Sequence, residues 1–287
     1  MLIPILLLTA AVDGPVQELP PGLDAMIRES HAKERKTIVN VAKRTYPQST
    51  EAIDALVRRI EADEKKQVAK SDFLEGFAGE VTLGGYLSTG NTNDWGLAGS
   101  VALTRKGTLW THNLDIRVDL KDEDGERTDE RVFASYTLRR VLWHSRWFAF
   151  GRLRFEHDEQ QGINARFGQA VGMGYQLVDA PRLSWDVMAG PALRQTNFAG
   201  EPHSNTFGMF ARTKFAWALS DTIKFTQDVD AVVDGSNNTL FATTAITTDL
   251  YGNLAFRLSF IAEIETDPPP GKVETETYTR ASLVYDF

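Results

Sequence analysis

Thr275-Glu276-Thr277-Tyr278-Thr279-Arg280-Ala281-Ser282-Leu283-Val284-Tyr285-Asp286-Phe287 is the stretch that decides the fold. Stepping back in twos from Phe287 gives Tyr285, Leu283, Ala281 and Thr279, while the other set is Asp286, Val284, Ser282, Arg280 and Tyr278. A period of two is a strand with one apolar and one mostly polar face. A final strand of this kind, ending on an aromatic, has the form of the closing strand of an outer-membrane barrel, whose end aromatics lie in an interfacial girdle. The inference needs the same alternation upstream.

It is there from Phe77 onward. One phase reads Phe77, Gly79, Val81, Leu83; then Trp95, Leu97, Val101, Leu103; Trp110, His112, Leu114, Ile116, Val118; and Val132, Ala134, Tyr136, Leu138. It continues as Trp147, Ala149, Leu153, Phe155; Phe167, Gln169, Val171, Met173; Trp185, Val187, Ala189; and Phe207, Met209, Phe215, Trp217. Before the last strand come Ile223, Phe225, Gln227, Val229; Leu240, Ala242, Ile246; and Leu254, Phe256, Leu258, Phe260. This predicts a twelve-stranded antiparallel transmembrane β-barrel, an all-β fold, over residues 73–287. The opposite phase carries the charges: Asp115, Arg117, Asp119, Arg139, Arg152, Arg154, Glu156, Arg166, Asp186, Arg194, Arg212, Lys214, Lys224, Asp228, Asp230, Arg257, Glu263 and Arg280.

Alternation alone does not say which face is inside. Twelve strands enclose a space too wide for Val and Ala to fill, whereas polar groups and water occupy it readily. Trp95, Trp110, Trp147, Trp185, Trp217, Tyr285 and Phe287 lie toward strand ends, as membrane-interface aromatics do. Connections also alternate between short turns, such as Arg105-Lys106-Gly107 and Tyr251-Gly252-Asn253, and longer polar loops, such as Gln195 to Asn205. The uncharged rows are therefore expected to face lipid, where Arg or Lys near the midplane costs ~2–4 kcal/mol. Exceptions to resolve are Arg139-Arg140, with one Arg in each phase, and His112, Gln169 and Gln227 on the apolar face.

The chain has 287 residues, a net charge of -8 and no cysteine. The acidic balance gives no reason to expect nucleic acid as a partner, and the absence of thiols excludes disulfides, thiolate metal sites and a Cys nucleophile. No apolar run reaches the ~18 residues of a spanning helix. Leu2 to Ala11 is a short apolar core followed by small residues, which predicts a signal peptide over 1–11, although a basic head is missing. Residues 12–72 read as a periplasmic Pro-bearing linker and a helical segment. Leu23, Met26 and Ile27, then Ile38, Val41 and Ala42, then Ile53, Leu56, Val57 and Ile60 fall at helical spacing, and Pro47 breaks the run. The spacing predicts a helical pair, broken again in the polar stretch Arg28 to Lys36, that is either a small packed appendage or a unit that docks on a periplasmic partner or plugs the barrel.

The runs Thr89-Gly90-Asn91-Thr92, Phe150-Gly151-Arg152-Leu153-Arg154-Phe155-Glu156-His157-Asp158, Gly172-Met173-Gly174-Tyr175, Glu265-Thr266-Asp267-Pro268-Pro269 and Leu283-Val284-Tyr285-Asp286-Phe287 carry a resemblance. Over roughly Phe73 to Phe287 the chain resembles the domain-of-unknown-function family of salt-induced outer-membrane barrel proteins. Asp286 stands where a glycine is common in that family. The resemblance implies an outer-membrane barrel with no established chemistry, linked to envelope or osmotic stress. It carries over no catalytic residue.

Enzyme readings fare poorly on the residues. No His is followed two positions later by Ser, as a barrel lipase would need most simply. His157-Asp158 near an outer rim, with Asp122, Glu123 and Asp124 in another loop, is the one arrangement that invites a protease comparison, and a solvated acidic loop explains it too. Those acids do not form a defined Ca²⁺ cage. No cofactor or metal is expected. The lumen is expected to be mixed in sign and slightly basic. It serves either as a salt-bridged brace in a closed structural protein or as a narrow porin-like pore whose arginines favour small anions. Partners expected are outer-membrane lipid, the barrel-assembly machinery through the last strand, and small ions or solutes.

Overall fold

A computed structural model describes residues 19–287 except 31, 71–75, 90–94, 124–125, 144–145, 160, 200–202, 236 and 269–270. The signal-peptide segment lies outside the described residues. The chain divides into two compact units, Met1–Gln67 and Val68–Phe287.

The second unit is a closed antiparallel barrel in which each strand pairs with its sequence neighbours and β1 closes on β12. The strands are β1 (Phe77–Thr89), β2 (Trp95–Lys106), β3 (Trp110–Glu123), β4 (Glu126–Val141), β5 (Trp147–Asp158), β6 (Ile163–Ala180), β7 (Leu183–Phe198), β8 (Ser204–Ala218), β9 (Ile223–Val233), β10 (Thr239–Tyr251), β11 (Leu254–Glu265) and β12 (Thr275–Asp286). Closure runs in register from Glu80 opposite Asp286 to Thr89 opposite Thr277, and Gly79 and Phe287 exchange backbone hydrogen bonds at 3.0 and 2.9 Å. With the ring closed no edge is left, so backbone groups in the wall are satisfied without water, which a hydrocarbon setting demands.

The period-two pattern sorts side chains by face. Leu83, Leu97, Leu153, Val171 and Phe207 are 58–72 % exposed, whereas Arg152, Arg166, Asp230 and Glu263 on the alternate positions are 1–7 % exposed. A folded protein that shows leucine outward and buries arginine inward has its apolar surface outside the barrel, the reverse of a water-soluble closed sheet. Glycine allows a close backbone approach between β6 and β7. A Cβ added to Gly190 would lie 2.0 Å from the carbonyl oxygen of Val171, so only glycine permits that approach.

The first unit contains the helices α1 (Leu23–Glu29), α2 (Ala32–Thr45) and α3 (Thr50–Lys70), with the second break falling within the polar stretch Arg28 to Lys36. The polar stretch after Arg28 ends α1, and a short 3-10 turn at Pro47–Ser49 separates α2 from α3. Leu23, Ile27, Ala42, Ile53, Leu56 and Ile60 form its core. Met26 and Val41, placed on the apolar stripe by spacing, are 58 % and 50 % exposed. Arg35 ties the unit together: its guanidinium donates to the carbonyls of Ile27 and Ser30 at the end of α1 and to Glu64 on α3 at 2.8 Å.

Candidate functional site

The inward phase is a network of ion pairs, some between neighbouring strands along the wall, such as Arg166 with Glu156 and Arg212 with Asp228, and others across the interior. Toward the longer loops, Arg131 on β4 meets Glu263 on β11, lies 2.9 Å from Asp158 and 3.6 Å from Glu156, and stacks over Tyr278. Arg166 on β6 reaches Glu265 on β11 at 2.6 Å and Glu156 at 3.7 Å. Arg280 on β12 pairs with Asp119 on β3 at 2.6 Å, and Arg152 on β5 with Asp230 on β9 at 2.7 Å. Arg194 bonds Asp234, Thr239 and the carbonyl of Asn237. The carboxylates of Glu156, Asp158, Glu263 and Glu265 are at most 2 % exposed. In a wall of twelve strands, pairs between strands as far apart as β4 and β11 are chords through the interior. They span it because Arg is long and its fork binds carboxylate in fixed geometry.

Two aromatics complete the crossing. Phe133 on β4 and Phe241 on β10 stack with ring centroids 6.0 Å apart, and those strands are six positions apart either way around the ring. Arg154 lies over both rings, at 4.2 and 5.7 Å, and Arg117 over both at 5.8 Å. The diameter is thus bridged by a guanidinium–aromatic stack. On the β5–β9 side lies a cavity of about 50 Å³ whose polar lining is Arg152, Arg154, Arg166, Arg194, Glu156, Gln169 and Thr239 and whose remaining lining is Gly168, Ala170, Ala192, Leu193, Phe210 and Val232.

Toward the short turns the interior opens. Arg212 is held by Asp228 and by Asp230 at 3.2 Å, Arg139 by Asp186 at 2.9 Å, and Arg257 by Glu80 through two bonds at 2.7 and 2.8 Å. Asp115, Lys214 and Lys224 are exposed there. Inward-phase charges that are exposed at one end and buried at the other describe a cup open on the turn side.

Most polar exceptions on the outer face are met locally, while Gln169 stays exposed there. His112 Nδ1 lies 2.7 Å from the Tyr136 hydroxyl across the strand pair, and Thr244 donates to Gln227 at 2.7 Å. Arg140 points outward beside Trp110, 5.3 Å from its ring, while Arg139 points inward over Phe148. Trp110, Trp147, Trp185 and Trp217 sit at the turn ends of their strands and Trp95 at a loop end; Tyr285 and Phe287 are exposed at the turn end of β12. Trp143, in the β4–β5 turn with φ 49°, is 80 % exposed and joins this belt. His157 does not face Asp158: its Nδ1 sits 2.9 Å from the Asn164 carbonyl, while Asp158 turns inward to Arg131. The side chains of Asp122 and Glu123, and Asp124 altogether, lie outside the described residues.

The sequence reading of the lumen left out Glu80, Arg131, Phe133, Asp234, Phe241, Glu265 and Glu276, and placed Asp158 at the outer rim where the structure turns it inward to Arg131. Arg131, Asp158, Glu265 and Glu276 continue the charged phase by one or two steps toward the loops, so longer strands would have found them. Phe133 and Phe241 were visible as aromatics in the charged phase. One base and five acids among these residues move the interior from a basic excess toward balance.

A family model described as "Protein of unknown function, DUF481" matches residues 81–287. The uncharacterized protein YdiY of Escherichia coli (strain K12) is 24% identical over 212 residues, covering 74% of this chain and 83% of that one. Among solved structures, the NanC porin aligns with a TM-score of 0.51 at 7% identity, over 72% of this chain and 100% of the porin. A COG4313 outer-membrane channel from Pseudomonas putida F1 aligns with a TM-score of 0.47 at 8% identity, over 74% of this chain and 96% of that one. These likenesses concern the fold.

Proposed function

The chain belongs to the DUF481 family of proteins of unknown function, and on that premise we propose that it is a narrow outer-membrane channel constricted at the Phe133–Phe241 bridge. The bridge and the cross-barrel ion pairs are the observation that carries the proposal. They narrow a twelve-strand interior to one fit for ions and small solutes, and the turn-side cup supplies a wet vestibule. In this reading Asp115, Arg117, Asp119, Arg139, Arg152, Arg154, Glu156, Arg166, Asp186, Arg194, Arg212, Lys214, Lys224, Asp228, Asp230, Arg257, Glu263 and Arg280 line the lumen. The arginines beside the β5–β9 cavity bias passage toward small anions. The short turns and the helical unit face the periplasm, the loops face outward, and β12 is the segment presented to the assembly machinery. A link to salt stress has a physical counterpart here, because the partly exposed pairs Arg139–Asp186 and Arg257–Glu80 weaken as ionic strength rises.

Planar-bilayer conductance tests this. The expected result is a small, anion-biased current that rises when Phe133 and Phe241 are both changed to Ala. A folded barrel that passes no current, with or without the substitutions, would leave the second reading, a closed structural protein braced by its own side chains. The same stack favours that reading if it never parts.

A further inference from the structure

The β5–β9 cavity has two unlike walls. On one side are the guanidiniums of Arg152, Arg154 and Arg166. Each is engaged by a carboxylate, at 2.7 Å to Asp230, 3.2 Å to Glu156 and 2.6 Å to Glu265 respectively. Yet Arg152 Nη1, Arg154 Nε and Arg166 Nε have no hydrogen-bond partner among the described residues, and Arg152 and Arg166 are 5 % exposed at the side chain. An unpaired buried N–H is costly unless something fills it. Beside them the wall is apolar, with Ala170, Ala192, Phe210 and Val232 side by side on β6 to β9, and the Glu156 carboxylate lines the space among the arginines.

We propose that this cavity is a binding site for a short-chain monocarboxylate, with the carboxylate on the free guanidinium N–H groups of Arg152, Arg154 and Arg166 and the alkyl body against Phe210. A halide would leave the apolar wall unused, and a neutral solute would leave the N–H groups unfilled. The volume of about 50 Å³ limits the body to a few carbons. The inference rests on the channel reading only for its purpose: the site would slow and select what enters the passage.

The test uses the whole chain folded in perdeuterated detergent, with propionate as the probe and propionamide as its uncharged counterpart, read by saturation-transfer NMR. Two variants report on the two walls. Arg152→Gln removes one guanidinium while Asp230 keeps Arg212 at 3.2 Å. Gly168→Val fills the cavity and leaves every guanidinium in the chain; a Cβ there meets only the Cβ of Arg154 at 3.5 Å, an ordinary contact. The site predicts propionate binding, no propionamide binding, and a loss of about tenfold or more in both variants, the effect of one charge-assisted hydrogen bond or of lost space. Absence of propionate binding to the folded barrel overturns it, as does equal binding of propionamide or affinity unchanged in either variant. A barrel that binds propionate but carries no current removes the channel and keeps the site; one that conducts without binding removes the site alone.

Discussion

Arg131→Met is the most informative single perturbation of the interior. The guanidinium serves three carboxylates, Glu263 directly, Asp158 at 2.9 Å and Glu156 at 3.6 Å, all at most 1 % exposed. Its removal does not strand them equally. Glu156 keeps Arg154 at 3.2 Å and Arg166 at 3.7 Å, and Asp158 keeps the backbone N–H of Gln161 at 3.0 Å. Glu263 keeps no other ion pair among the described residues. Removing one partner of a buried pair costs ~3–5 kcal/mol, and the survivors on Glu156 hold the loss within that range. With a urea slope of ~3 kcal/mol per molar, the unfolding midpoint drops by roughly 1–2 M. All six tryptophans lie in the barrel, so their fluorescence reports that unit alone. Adding Glu263→Gln should recover roughly half of the loss, because it removes the stranded charge. A midpoint shift under about 0.3 M in the single variant would show that water already solvates these carboxylates, and the cross-barrel brace would be refuted.

Other consequences follow from the same geometry. Leu258→Arg, on the exposed face of β11, should cost ~2–4 kcal/mol in lipid vesicles; a loss below about 1 kcal/mol would mean that this position does not meet hydrocarbon. Gly190→Ala brings a Cβ to 2.0 Å from the Val171 carbonyl oxygen and should block barrel assembly, scored as loss of the heat-modifiable folded band on gels; normal assembly would show that β6 and β7 do not approach this closely. In the helical unit, Arg35→Ala removes bonds to Ile27, Ser30 and Glu64 and should lower hydrogen-exchange protection at Leu56 and Ile60 by ~1.5–3 kcal/mol; unchanged protection would exclude the clamp.

The barrel was legible because its wall obeys one rule. A strand with a lipid face cannot slip by one residue without exposing charge to hydrocarbon, so phase, strand count and connection lengths agree from Phe77 to Phe287. The interior was less legible. Which arginine meets which acid depends on chords between distant strands, such as Arg166 to Glu265, and no local spacing encodes these. The phase did contain Phe133 and Phe241, but their stacking needed the ring order that sets β4 opposite β10. In the helical unit, periodicity found the buried Ile27, Ile53 and Ile60 but placed Met26 and Val41 wrongly. With narrow stripes, one turn of helix rotates a marginal residue out of the core.

The most direct measurement exploits the absence of native cysteine. Single cysteines along β11 at Phe256, Arg257, Leu258, Ser259, Phe260 and Ile261, spin-labelled in lipid vesicles, report accessibility to oxygen against a water-soluble nickel reagent. The account predicts strict alternation, with labels at Phe256, Leu258 and Phe260 open to oxygen dissolved in the bilayer and those at Arg257, Ser259 and Ile261 shielded from it. The opposite phase, or no alternation along the strand, would contradict it.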